Sequence, residues 1–138
     1  MREILFRGKR TDGQWIYGGL LKVTYDGNTY NLIFADNFLF VFGEATAMEH
    51  ACVDPATVGQ FTGLTDKNGK KIFEGDVVKV LQGKDKGIAC VGFENGAFML
   101  YPQTGNIYER TLWEYWYNDW EVEIIGNIHD NHELLENP

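Results

Sequence analysis

Four dipeptides punctuate this chain: Asp12-Gly13, Asp26-Gly27, Asn68-Gly69 and Asn95-Gly96. Each joins a residue that tolerates a positive φ to one that favours it, and tight hairpin turns need that combination. The stretches between them are short, apolar or alternating, and rich in β-branched and aromatic residues. Strands are predicted over residues 2–7 and 14–19, around the first pair, and over 20–25 and 29–34, around the second. Gly18-Gly19 reads as a bend between them. Further strands are expected at 38–42, 60–64, 77–81, 88–93, 97–101, 107–113 and 120–125, while residues 44–50 stay ambiguous because so short a helix is marginal alone. In the last strand Trp120, Val122 and Ile124 share one face, and Glu121 and Glu123 the other. Residues 132–135 suit a single helical turn.

Sixteen glycines against three prolines in 138 residues fit many tight turns. The expected fold is all-β: an SH3-like small barrel, with additional N-terminal β-hairpins and a short terminal helical turn. Closure would also remove the exposed edges that many short strands create. A single domain is expected over residues 1–138. Its strands in residues 1–54 would pack on a barrel core at 55–128, and residues 129–138 would form a tail.

Composition narrows the function classes. The formal charge is −8, and residues 91–138 hold one base, Arg110, against nine acids. That balance disfavours broad phosphate binding, which needs Lys and Arg to displace counterions. No stretch approaches a membrane helix, and residues 1–7 lack the apolar core of a secretory signal. Cys52 and Cys90 lie in apolar settings and read as buried free thiols. The cytoplasm is therefore the expected compartment.

Motifs of enzymes are scarce. No serine is present, and no phosphate-binding or dinucleotide-binding glycine pattern occurs. His50 lies two residues from Cys52, which reads as chance adjacency rather than a catalytic pair. His129, His132 and Glu133 would share a side if helical, but their spacing is not that of the zinc-protease pair, so no metal and no cofactor are expected. Glu74 and Asp76 straddle Gly75 and read as turn residues, with Asp76 bonding nearby backbone. No enzyme is expected.

Two clusters remain. The run Leu112-Trp113-Glu114-Tyr115-Trp116-Tyr117-Asn118-Asp119-Trp120 holds more rings than one buried face can use. As a strand, it would put Trp113, Tyr115 and Tyr117 on one face and Trp116 on the other. These four residues are the expected contact surface for another protein, since large rigid rings contribute area at low entropy cost; burial of all of them, or their use between copies of the chain, is the competing reading. Six lysines, at 67, 70, 71, 79, 84 and 86, give a nucleic-acid alternative through Lys67, Lys70 and Lys71. Asp66, Glu74, Asp76 and Asp85 interleave with them, and no arginine is there to read bases bidentately.

The block Val58-Gly59-Gln60-Phe61-Thr62-Gly63-Leu64-Thr65-Asp66-Lys67-Asn68-Gly69-Lys70-Lys71-Ile72-Phe73-Glu74-Gly75-Asp76-Val77-Val78-Lys79-Val80 resembles the YopX family of phage and prophage proteins. So do Met1-Arg2-Glu3-Ile4-Leu5-Phe6-Arg7 with Gly13-Gln14-Trp15-Ile16-Tyr17-Gly18, and Val122-Glu123-Ile124-Ile125-Gly126-Asn127-Ile128-His129-Asp130-Asn131-His132-Glu133-Leu134-Leu135. His132 stands where the family more often has Pro. The resemblance implies a small β-rich protein of phage or prophage origin acting in the bacterial cytoplasm, and supplies no reaction, cofactor or catalytic residue. Its expected partner is a host or phage protein, or a second copy of the chain.

Overall fold

A computed structural model of the chain describes residues 3–35 and 50–135. The strand expected at 38–42 lies outside them, as does nearly all of the ambiguous segment 44–50. The described chain is built of antiparallel sheet with one short α-helix. It divides into two compact units, residues 1–61 and 62–138.

The first unit contains β1 (Phe6–Lys9), β2 (Trp15–Tyr25), β3 (Asn28–Phe34) and the greater part of β4 (Cys52–Thr65). Asp26 and Gly27 join β2 to β3 with φ of 50° and 79°, the paired positive values that their side chains allow. The two strands expected at 14–19 and 20–25 are one strand. Its partner changes along its length: residues 15–18 pair with β1 and residues 19–25 with β3. Gly18 sits at the change, where a Cβ would overlap the Phe34 carbonyl. The glycine therefore serves close approach, not a bend.

The strand β4 pairs with both β3 and β1, so the pairings β1–β2, β2–β3, β3–β4 and β4–β1 form a ring. This ring of pairings lies among the N-terminal strands. Opposite β1 the register of β4 shifts between Gly59 and Asp54, a stretch that includes Pro55, which has no N–H to donate. There the Lys9 N–H donates to Thr57 Oγ1 at 2.8 Å, and the Thr57 hydroxyl donates to the Asp54 carbonyl at 2.6 Å.

In the second unit, β5 (Lys71–Phe73) follows the end of β4. Then come β6 (Asp76–Gln82), β7 (Asp85–Glu94), β8 (Ala97–Gly105), β9 (Arg110–Thr111), α1 (Leu112–Tyr117), β10 (Glu121–Asn127) and one 3₁₀ turn, His132–Leu134. The sheet order is β10-β6-β7-β8-β9: a four-strand meander whose fifth strand returns to the first. Asn95-Gly96 closes β7–β8 with φ of 52° and 81°. Gly83-Lys84 closes β6–β7, with the glycine in first place at φ 61°. The strand expected at 107–113 shrinks to β9, because the chain enters a helix at Leu112.

The core of this unit joins Ile72, Val78, Val80, Ala89, Val91 and Leu100 to Ile107, Leu112, Tyr115 and Val122. Trp120 and Ile124 pack against it beside Val122, as the alternation in β10 requires. Gly75, at φ 90°, makes the turn into β6; its N–H donates to the Val91 carbonyl, and its own carbonyl accepts from Ile128 N–H, both at 2.8 Å. Asp76 is buried, and its Oδ2 accepts the Phe73 N–H at 2.8 Å. Asp76 thus fills the turn role expected of it.

Candidate functional site

Helix α1 holds all four expected aromatic contact residues, Trp113, Tyr115, Trp116 and Tyr117. Thr111 caps it: its Oγ1 accepts the Glu114 N–H at 3.1 Å, and the Glu114 carboxylate accepts back from the Thr111 N–H at 3.4 Å. This reciprocal capping box satisfies donors that a helix start leaves unpaired. Leu112 and Tyr115, three apart, then face the core, while Trp113, Trp116 and Tyr117 face outward. The face division expected for a strand is therefore replaced by a helical one.

Tyr115 is only 1% exposed, so it anchors the helix instead of meeting a partner. Its hydroxyl accepts the Tyr108 N–H at 3.1 Å and donates to the Tyr108 carbonyl at 2.5 Å. Its ring meets Trp120 edge-on, with centroids 5.0 Å apart. Burial pushes its phenol above the ordinary pKa range, only partly opposed by the hydrogen bond to Tyr108 and the charge of Arg110. Trp113, Trp116 and Tyr117 are 54%, 49% and 63% exposed. Trp113 and Tyr117, four apart, stack with centroids 4.7 Å apart at 18°. Stacking fixes both rings before any partner arrives and lowers the entropy cost of using them. Tyr108 is also exposed, with the Arg110 guanidinium 5.6 Å over its ring.

Two grooves flank this helix. One, of about 410 Å³, is lined by Trp116, Tyr117 and Trp120 together with Asp66, Lys67, Asp119 and Glu121. The second, of about 590 Å³, lies between Tyr108, Arg110 and Trp120 and the polar residues Gln82, Asp85 and Asn106.

The lysine cluster is dispersed among acids. Lys67 Nζ lies 4.0 Å from Glu121 and 3.9 Å from Glu123. Lys79 stands directly opposite Glu123 across the β6–β10 ladder. Lys70 and Lys71 are exposed beside the β4–β5 turn, and Lys70 lends its charge to Asp66. Asp66, expected only as one of the interleaved acids, is the organising residue there, and its buried carboxylate accepts three backbone N–H bonds.

The histidine segment serves a turn. The Asn127 side-chain oxygen accepts from the His129 and Asp130 N–H groups, each at 2.9 Å, and Asn131 Oδ1 accepts from Asn127 N–H at 3.1 Å. His132 and Glu133 follow in the expected terminal helical turn. Among the described residues, no three His, Cys, Asp or Glu side chains come together in a metal-binding group. Near Cys52, the His50 ring nitrogen Nδ1 lies 3.4 Å from the Arg10 guanidinium. Both cysteines are half-buried thiols, less enclosed than expected, and burial pushes the Cys90 thiol up, away from its nucleophilic form. No helix among the described residues is long and apolar enough to cross a membrane.

Comparison with known proteins agrees with this architecture. A family model described as YopX protein matches residues 5–136. The crystal structure of protein EF1440 from Enterococcus faecalis is similar to the chain at a TM-score of 0.53 and 23% identity, covering 99% of this chain and 100% of that one. At that identity the likeness speaks for the fold alone. No curated protein matches the sequence.

Proposed function

The chain belongs to the YopX family, and on that premise we propose that it is a phage- or prophage-encoded cytoplasmic protein that acts by binding another protein and catalyses no reaction. The observation that carries this reading is the outward face of α1. Trp113, Trp116 and Tyr117 are held on a capped helix whose other face is locked into the core by Leu112 and Tyr115. Exposed tryptophan and tyrosine on a rigid element are the residue types that dominate protein interfaces. Two half-buried cysteine thiols suit a reducing compartment. The meander with a returning fifth strand supports an SH3-like reading of the second unit, a class that often uses an aromatic groove for peptides. The lysine alternative is weaker, because Lys67 and Lys79 each face an acid.

Affinity purification of the tagged chain from bacterial cells, with and without nuclease, tests the proposal. A stoichiometric protein that survives nuclease and is lost from the Trp113→Ala/Trp116→Ala variant is the expected result. Co-purifying nucleic acid, or partners that vanish with nuclease, would transfer the function to Lys67, Lys70 and Lys71.

A further inference from the structure

The groove of about 410 Å³ beside α1 has the volume for a side chain or a short extended segment. Its walls are the rings of Trp116, Tyr117 and Trp120, and its charged lining is Asp66, Asp119 and Glu121 against one base, Lys67. Asp66 is committed to three backbone donors. Asp119 and Glu121 are thus the carboxylates available to an incoming group. Aromatic faces attract cations through the ring quadrupole, and flanking carboxylates add to that attraction. The chain supplies few cations of its own here: the last turn of α1 holds no base, and Arg110 lies over Tyr108 along the other groove. The Lys67 ammonium meets Glu121 and Glu123 at 4.0 and 3.9 Å, long contacts between exposed groups that are worth little and readily exchanged.

Asp119 adds to the charge argument. Its φ is 62°, and among the described residues it shares positive φ with only two other non-glycine positions, Asp26 and Asn95, both in hairpin turns. Eight glycines take such angles in the same described chain. Directly after a helix, glycine is the less costly residue at this conformation. A carboxylate stands there instead, on the rim of an aromatic groove.

We propose that this groove takes an arginine side chain from a basic segment of the partner protein, with the guanidinium against the Trp116 and Trp120 rings and its charge met by Asp119 and Glu121. Arginine suits it better than lysine, because its planar, weakly hydrated head both stacks on rings and forks to a carboxylate. The inference rests on the protein-binding reading above and adds the chemistry of the partner.

Tryptophan fluorescence titrations of the full chain would use three blocked peptides of equal length, bearing arginine, citrulline or glutamate. Only the arginine peptide is expected to bind. Asp119→Asn, which keeps a residue tolerant of the left-handed conformation, should weaken binding about twofold to fivefold with the melting temperature unchanged. Trp116→Ala should weaken it about tenfold. Lys67→Gln should strengthen it, because a competing cation is removed; a phosphate-binding surface would respond in the opposite direction. Equal binding of arginine and citrulline peptides, or weakening by Lys67→Gln, would overturn the proposal. If the arginine peptide fails to bind while a nuclease-resistant protein is still lost on substituting Trp113 and Trp116, this inference falls and the protein-binding reading stands. Failure of both would remove both.

Discussion

At Asp66, Oδ1 accepts the Asn68 and Lys70 N–H groups at 2.9 Å each, and Oδ2 accepts the Ile124 N–H at 3.0 Å. One side chain thus closes the β4–β5 turn and ties it to a strand 58 residues away. Burial raises the carboxyl's pKa, but the three N–H bonds and the charge of Lys70 outweigh it and hold the group below its ordinary value of 3.8. With the folded value depressed, the carboxylate's contribution is fully present above the unfolded value and is lost as pH falls through the folded one. Denaturant titrations of the Asp66→Asn variant should show a loss of about 2 kcal/mol near neutral pH, because an amide NH₂ would then face an N–H donor. The wild-type advantage should shrink below about pH 4. An advantage that stays constant down to pH 2 would contradict this account. The sequence showed the turn here, through Asn68-Gly69, but not its long reach. Only Gly69 takes a positive φ, at 79°, and Asp66 supplies the rest of the turn's hydrogen bonding.

Among the elements, the hairpins were the most legible, because Asp26-Gly27 and Asn95-Gly96 make their turns within two residues and depend on nothing distant. Gly83-Lys84 escaped notice because it is a glycine-first turn without Asn or Asp. The helix α1 departs from the expected strand for a different reason: Trp and Tyr favour strands in general, and here tertiary burial of Leu112 and Tyr115 overrides that preference. The signal that would have found it was local. Thr111 and Glu114 stand three apart, the spacing of a capping box, and Leu112 and Tyr115 repeat the same interval. Removing the cap by Thr111→Ala should cost about 1 kcal/mol, lower the melting temperature by several degrees, and loosen the Trp113–Tyr117 stack enough to change near-ultraviolet circular dichroism. An unchanged melting curve and spectrum would mean that the core contacts of Leu112 and Tyr115 alone hold the helix.

Across the molecule, the family match and the likeness to the Enterococcus faecalis structure both run nearly the full chain and so span both units. The all-β expectation holds for both. The ring of pairings lies in the first unit, and the second carries the hydrophobic cluster on which α1 sits. The protein-binding proposal rests on the division of α1 into an inward and an outward face. Melting temperature and capture of the nuclease-resistant partner, measured side by side for Tyr115→Ala and for Trp113→Ala/Trp116→Ala, test that division most directly. The account predicts that Tyr115→Ala loses about 3–5 kcal/mol of stability, whereas the double variant melts within a degree or two of wild type and no longer retains the partner. A double variant that loses stability like Tyr115→Ala, or that keeps the partner at wild-type level, would contradict it.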